Sequence, residues 1–241
     1  YHAHRWQDGD KFTVPSTFSE TTARGSSVIV GWEIDCDDGI TTVMASGDSI
    51  TAGAGSGNLG ETDILLAVKA ANLAGNLTGY IDVGWGGQNT TTYSDRLVDT
   101  LSVITPDIVV YSVASINDGT PAATVLRKER ANLNKALTAI RNAGAVAVLR
   151  AQAPNTSASW NATADNLSKS LNTWAESLVN PSKMMWYTHA VAGLGDGATP
   201  ERYVAAYTTD NAHPNAIGYS AAAVNMGVVL VEVGRSIGHY Q

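Results

Sequence analysis

The sequence predicts an α/β domain whose parallel sheet is covered by helices on both faces. From residue 40 onward, short apolar runs rich in β-branched residues alternate with longer stretches of helical periodicity. The short runs are continuous rather than alternating in polarity, which is expected of strands buried on both faces. The 241 residues suit one large domain, and 44% of them are hydrophobic, enough for a substantial core.

This alternation predicts five strands and five helices. The predicted strands are Thr41 to Ala45, Tyr80 to Val83, Ile108 to Val113, Ala145 to Leu149 and Met184 to Thr188. The predicted helices are 62–74, 92–104, 121–143, 161–179 and 215–236. The third helix has an apolar stripe, made by Val125, Leu133, Leu137 and Ile140. Pro121 suits its first turn, and Gly144 suits its C-terminal end.

Residues 1–39 lack this alternation. They contain one β-like run, residues 28–32, between turn-rich flanks. We expect them to form an N-terminal extension packed on the main domain, which then spans residues 40–241.

Composition excludes several classes of function. The formal net charge is −7 with no run of like charges, whereas a nucleic-acid-binding surface would show a basic stripe. The single cysteine, Cys36, cannot form an internal disulfide, and no cysteine cluster has zinc-type spacing. No apolar stretch approaches the ~20 residues that cross a bilayer. Few lysines beside abundant Ser, Thr, Asn and Gly are typical of secreted proteins, so we expect an extracellular location.

Polar and glycine-rich blocks follow the predicted strands at their carboxyl ends, where open α/β sheets place their functional crevice. Gly-Asp-Ser at 47–49 follows the first strand, and Gly-Trp-Gly-Gly at 84–87 follows the second. Ser-Ile-Asn-Asp at 115–118 follows the third, and Asp-Asn-Ala-His at 210–213 precedes the last helix. Each block alone is a weak signal, so the prediction depends on their common placement and their order.

This ordered set resembles the SGNH, or GDSL, hydrolase family over residues 40 to about 235. The family's namesake residues are a Ser in a Gly-Asp-Ser block, a Gly, an Asn in a Gly-x-Asn-Asp block and a His in an Asp-x-x-His block. The resemblance implies a three-layer αβα, flavodoxin-like fold with a central, mostly parallel five-stranded sheet. It also implies hydrolysis without metal or cofactor, with Ser49 as nucleophile, His213 as base and Asp210 as the residue that orients the base.

The resemblance further implies an oxyanion hole. Its donors would be the backbone N–H groups of Ser49 and Gly87 and the side-chain amide of Asn117. Gly84 and Gly86 compete with Gly87 for this role, and the residues after Gly87 match the family pattern best.

One position departs from the family, and one aromatic residue stands beside the second block. Ser115 occupies the place where glycine is usual, and a positive φ there would suit serine less well than glycine. Trp85 is a candidate substrate contact because its ring can stack on an acyl chain or a sugar, although core packing explains it equally well.

The chemistry of these residue types agrees with the resemblance. A serine hydroxyl is a weak nucleophile until a base within hydrogen-bond reach accepts its proton. An imidazole with an ordinary pKa of about 6.5 is largely neutral at working pH and can serve as that base. A carboxylate three residues earlier can hold the imidazole tautomer and stabilise the imidazolium that forms.

We therefore expect a serine esterase that acts through an acyl-Ser49 intermediate on a small-molecule or glycan ester. Short-chain acyl esters or O-acetyl groups on carbohydrate are the favoured substrates. A non-catalytic carbohydrate-binding or attachment module with the same fold is the main alternative, and a lysophospholipase or thioesterase is the alternative enzyme. A flavin-binding protein would need phosphate-cradling Ser/Thr loops in addition.

Overall fold

The computed structural model describes residues 40–57, 61–155 and 160–240, which fold around five parallel strands. The strands are β1 (Thr41–Ser46), β2 (Thr78–Asp82), β3 (Ile108–Ser112), β4 (Val146–Arg150) and β5 (Met185–Thr188). The helices are α1 (Asp63–Leu73), α2 (Thr90–Leu101), α3 (Ala123–Asn142), α4 (Ala162–Glu176) and α5 (Ala216–Ser236). The predicted N-terminal extension, residues 1–39, lies outside the described residues.

The strand order is β2-β1-β3-β4-β5, and all four pairings are parallel. This is the flavodoxin-like order, in which the chain leaves β1 toward one side of the sheet and later returns to pair on its other side. Ligands of such sheets bind outside the carboxyl ends of the strands that flank this reversal. The predicted fold is confirmed, and the crevice is expected beyond the ends of β1 and β3.

The apolar side chains of the sheet divide into two cores, one on each face. On one face, β-strand residues such as Val43 and Val110 pack against α1 and α5. On the other, residues such as Met44 and Val109 pack against α2, α3 and α4. Neighbouring strand residues thus serve opposite cores, which explains why the strands read as continuous apolar runs.

Helices α2 and α3 begin two residues away from their predicted starts, and the other three begin one residue later than predicted. Helix α2 begins at Thr90 because the Asn89 side chain caps it by accepting a hydrogen bond from Thr92 N at 3.1 Å. Helix α3 begins at Ala123, so Pro121 precedes the helix instead of occupying its first turn.

The buried stripe of α3 also differs from the prediction. It runs through Leu126 instead of Val125, because Leu126 lies seven residues before Leu133 and therefore shares its face. A charged residue, Glu129, lies in the same stripe and is 2% exposed.

Helix α5 corrects one sequence expectation. By length and composition it is apolar enough to cross a membrane, so the expectation that no apolar stretch approaches this length is wrong. Core helices of globular domains meet the same criterion, and Tyr219, Met226 and Leu230 of α5 are buried against the sheet.

Candidate active site

The loop after β1 holds Ser49 at the crevice. Gly47 turns the chain where a side chain would not fit, since a Cβ there would overlap Thr51 and lie 2.6 Å from Ser112 Oγ. The loop then coils back on itself, with Ala54 N donating to Ser49 O at 2.9 Å. Ser49 itself is 8% exposed, so its hydroxyl is held in place while remaining within reach of the crevice.

Ser49, His213 and Asp210 form a continuous hydrogen-bonded chain. Ser49 Oγ lies 2.9 Å from His213 Nε2, and His213 Nδ1 lies 2.6 Å from Asp210 Oδ2. With a proton on Nδ1 facing the carboxylate, Nε2 presents its lone pair to the serine hydroxyl. The structure therefore brings these three predicted residues together, although Ser49 and His213 are 164 residues apart in the sequence.

Asp210 is held as a carboxylate. Partial burial raises its pKa, but the hydrogen bonds from the His213 ring and from the backbone amides of Ala212 and His213 lower the pKa more, to about 2. The two amide donors both bind Oδ1, at 2.9 Å from Ala212 N and 2.8 Å from His213 N. Oδ2 is thereby left to the imidazole, and the ring has a fixed orientation.

Contacts from α5 and its preceding loop fix the histidine against the serine. Tyr219 OH donates into the serine loop, where Ile50 O lies at 2.9 Å and Ala54 O at 3.0 Å. Gly55 has a φ of +88°, and a Cβ at this position would lie 2.9 Å from the Cβ of His213. The two loops consequently pack backbone against side chain, and a bulkier residue at 55 would push the histidine away.

The glycine-rich block after β2 lies directly against the serine loop. Trp85 N donates to Gly47 O at 3.3 Å, and a Cβ on Gly84 would lie 2.8 Å from Thr51 Cγ2. Gly84 is thus required by packing, whereas Gly86 and Gly87 have open space where a side chain would be. Gly87 alone of the three has a positive φ, of +74°.

Several backbone donors at this point are unused. Among the residues that the structure describes, the N–H groups of Ser49, Gly86 and Gly87 donate to no other group. Free, preoriented N–H groups beside a nucleophile are what stabilisation of an oxyanion requires. The assignment of Gly87, and not Gly86, to the oxyanion hole remains a prediction.

The third block sits beside the same crevice, and Ser115 does not need the conformation of a glycine. Its φ is −132° and its ψ 140°, an ordinary extended backbone. The concern that serine would be strained at this position is therefore wrong. Asn117 directs its side-chain nitrogen toward Gln88 O at 3.0 Å, next to Gly87.

The two aspartates of the Gly-Asp-Ser and Asn-Asp blocks have structural contacts. Asp48 is buried, and its Oδ1 accepts a hydrogen bond from Ile50 N at 3.0 Å. Burial raises the pKa of Asp48, opposed by a hydrogen bond from Ser115. Asp118 accepts from Thr90 N at 2.9 Å and forms an ion pair with Lys128 at 2.7 Å. Both shape the loops, as turn residues do.

A buried ion pair beneath the serine loop escaped the sequence analysis. Arg150, at the end of β4, is 1% exposed and pairs with Asp63 of α1 at 2.8 Å. Its other donors bind Thr51 Oγ1 at 2.7 Å and Ser112 Oγ at 2.9 Å. Burial raises the pKa of Asp63, and the Arg150 guanidinium opposes this shift. The one signal in the sequence was a charged residue, Arg150, at the end of an apolar run, and this signal does not identify the partner.

Trp85 lies on the rim of the site and is 58% exposed. The Arg96 guanidinium sits over its ring at 5.2 Å from the ring centre, and Arg96 Nη1 donates to Val83 O at 3.1 Å. The indole is thus braced from one side while remaining open to solvent. Core packing, one of the two interpretations of Trp85, is wrong.

The described residues contain no group of three or more His, Cys, Asp or Glu side chains arranged to hold a metal ion.

Solved structures with the same fold include several esterases. A family 3 carbohydrate esterase from Clostridium thermocellum aligns with a TM-score of 0.62 at 16% identity, over 82% of this chain and 98% of that chain. An acetyl xylan esterase from Geobacillus stearothermophilus aligns with a TM-score of 0.56 at 16% identity, over 85% and 96%. The psychrotrophic esterase EstA from Pseudoalteromonas sp. gives 0.57 at 17% identity, over 80% and 97%. At these identities the likeness establishes the fold.

The sequence itself identifies the family. No curated protein sequence matches the chain. The profile of the GDSL-like Lipase/Acylhydrolase family matches residues 45–221, which include all four blocks. Because this match covers well over half of the chain, the protein belongs to the GDSL-like lipase/acylhydrolase family.

Proposed function

We propose that the protein is a serine esterase that hydrolyses carboxylic esters through an acyl-Ser49 intermediate. The observation that carries this proposal is the hydrogen-bonded chain from Ser49 Oγ through His213 to Asp210, with links of 2.9 and 2.6 Å. Membership of the acylhydrolase family supports hydrolysis of acyl groups in general. The hydrogen-bonded Ser49, His213 and Asp210 provide the nucleophile, the base and the carboxylate that this chemistry needs.

In this mechanism the serine oxygen attacks the ester carbonyl while His213 Nε2 takes its proton. The tetrahedral intermediate collapses, the protonated imidazole gives the proton to the leaving alkoxide, and the alcohol departs. Water then attacks the acyl-serine with the same histidine as base, which releases the acid and restores the hydroxyl. Asp210, ionised at neutral pH, stabilises the imidazolium in both halves.

The negative oxygen of each tetrahedral intermediate would be bound by Ser49 N–H, Gly87 N–H and Asn117 Nδ2. Loss of one such donor typically lowers kcat by ~10² to 10³. The two backbone donors have no partner among the described residues, which supports this role.

On the alcohol side, Trp85 supports a carbohydrate substrate. Its backbone N–H donates to Gly47 O of the serine loop, its ring is exposed, and flat apolar surfaces of this kind stack against the apolar face of a sugar ring. Two solved structures of the same fold are a carbohydrate esterase and an acetyl xylan esterase, which agrees with this choice. O-acetyl groups on a glycan are therefore the substrate that we propose.

Hydrolysis of p-nitrophenyl acetate tests the reaction. Ser49→Ala should abolish turnover and labelling by a fluorophosphonate probe, and Asp210→Asn should lower kcat by ~10² or more because the imidazole loses its partner. Ser170→Ala, at an exposed serine on α4, is the matched control and should behave as wild type. Wild-type rates in Ser49→Ala would refute the proposal, and glycan binding without any probe labelling would instead indicate a non-catalytic module.

A substrate series tests the specificity. We expect acetyl esters to be preferred over palmitoyl esters, and Trp85→Ala to raise KM for acetylated xylan several-fold while leaving p-nitrophenyl acetate unaffected. Trp174→Ala removes a comparable stacked pair with Arg130, at 4.9 Å, and should leave both KM values unchanged. A preference for palmitoyl esters would favour a lysophospholipase or thioesterase.

A further inference from the structure

Ser115 joins three segments of the candidate site through one hydroxyl. Its Oγ lies 2.5 Å from Asp48 Oδ2 in the serine loop and 2.9 Å from Gln88 O beside the glycine block. The same oxygen accepts from Asn117 N at 3.1 Å and from Asn117 Nδ2 at 3.2 Å. Ser115 is 2% exposed, so bulk water does not compete here, and its single hydroxyl proton goes to the nearer acceptor, Asp48 Oδ2.

The geometry around Asn117 Nδ2 shows what this hydroxyl does to the amide. The nitrogen lies 3.0 Å from Gln88 O and 3.2 Å from Ser115 Oγ, and those two oxygens are 2.9 Å apart. The three atoms form a nearly equilateral triangle, so the two oxygens subtend only about 60° at the nitrogen, whereas the two N–H bonds of an amide diverge by about 120°. The two N–H bonds therefore cannot both point straight at these oxygens, and an arrangement in which one N–H serves both of them leaves the other N–H for a substrate.

We propose that Ser115 is a positioning residue of the oxyanion hole, which holds one N–H of Asn117 so that the other is presented to the substrate oxygen. The inference rests on the proposed esterase function. Because Ser115 also bonds Asp48, which lies between Gly47 and Ser49, it ties the side-chain donor to the loop that carries the nucleophile. Donors of an oxyanion hole act only when fixed before the reaction, so loss of this link should reduce transition-state stabilisation.

The test is a double-mutant cycle between Ser115→Ala and Asn117→Ala, assayed with p-nitrophenyl acetate. Ser115→Ala alone should lower kcat by about 10- to 100-fold and leave KM within about twofold, because ground-state binding does not use the oxyanion donors. Added to Asn117→Ala, the same substitution should lower kcat by less than about threefold, since the group that it positions is already gone.

A matched control separates positioning from a general loss of stability. Ser94 is a fully buried serine whose Oγ lies 2.5 Å from Thr90 O and 2.6 Å from Tyr111 OH, outside the site. Ser94→Ala should lower the melting temperature to a similar extent and leave kcat unchanged. If Ser115→Ala does not fold, Ser115→Gly carries the same cycle, because the extended backbone at 115 suits any residue.

The possible outcomes are distinct. If the double variant loses kcat by the full product of the two single effects, Ser115 acts independently of Asn117 and the inference is overturned. An unchanged kcat in Ser115→Ala, measured beside an active wild type, would overturn it as well. A wild type that neither hydrolyses the ester nor reacts with the fluorophosphonate would overturn the proposed function, and this inference with it.

Discussion

Replacement of Arg150 by methionine should destabilise the fold by removing the counter-charge of Asp63. Methionine fills much of the space of the arginine stem, so the main change is a buried carboxylate left without its cation. Asp63 is fully buried, and the two side chains pair at 2.8 Å. Breaking one side of a buried pair costs about 3–5 kcal/mol. For a domain of this size that corresponds to a fall in melting temperature of roughly 10 °C.

The effect should depend on pH in a defined direction. Burial already raises the pKa of Asp63, and without Arg150 the pKa rises further above the unfolded value of 3.8. Folded Asp63 then keeps a proton that the unfolded chain releases, so the stability of Arg150→Met falls as pH rises above about 4. The deficit relative to wild type should consequently be small at pH 4 and largest near pH 8.

Urea unfolding at pH 4 and pH 8, followed by tryptophan fluorescence, measures both effects. Lys135→Met is the matched control because Lys135 pairs with Asp95 on the surface, where the two side chains are 48% and 52% exposed. Such pairs contribute ~0–1 kcal/mol. A deficit below about 1 kcal/mol in Arg150→Met, or the same deficit at both pH values, would show that Asp63 does not depend on this cation.

Two other predictions concern positions in the loop and in α3. Gly47→Ala should lower both stability and kcat because the added methyl overlaps Thr51, whereas Gly86→Ala, with open space around its Cβ, should leave both unchanged in melting and p-nitrophenyl acetate assays. Burial raises the pKa of Glu129 in α3 to about 8. Between pH 4.5 and pH 8 the folded protein therefore keeps a proton on Glu129 that the unfolded chain has lost. The free energy of unfolding should consequently fall as pH rises through this range. Glu129→Gln should remove roughly 3 kcal/mol of that fall between pH 5 and pH 8 in urea titrations, and an unchanged pH profile would contradict the assignment.

The fold was predictable because its signals are local. Buried parallel strands read as continuous apolar runs, and each predicted strand and helix has a counterpart in the structure. The errors lie at ends and faces: the side-chain cap of Asn89 starts α2 two residues early, and Leu126 replaces Val125 in the buried stripe of α3. The start of a helix depends on one capping hydrogen bond, and its buried face depends on a rotation of one residue. A hydrophobic period read over a dozen residues does not resolve either detail.

The meeting of Ser49, His213 and Asp210 was predictable from the family resemblance that the ordered blocks carry, but the residues that support them were not. Nothing local to Arg150 indicates that it pairs with Asp63, which is 87 residues distant in the chain. The pairing follows only when β4 and α1 are brought together by the sheet. Ser115 stands where the family usually has glycine, and from the sequence alone this serine looks unfavourable. Its role is not visible there because the groups near its hydroxyl, Asp48 and Gln88, lie in two other segments.

The register of the sheet explains why serine fits at position 115. Strands β1 and β3 pair directly, with Ser46 opposite Tyr111, so the loops that follow them leave the sheet at nearly the same level. Asp48 and Ser115 come two and four residues after this pair, and their side chains meet at 2.5 Å. A shift of one residue in this register would turn every side chain of the strand to the opposite face and separate these two groups. The proximity of the nucleophile loop and Ser115 is therefore a consequence of strand pairing, and the hydroxyl at 115 converts that proximity into a hydrogen-bonded link.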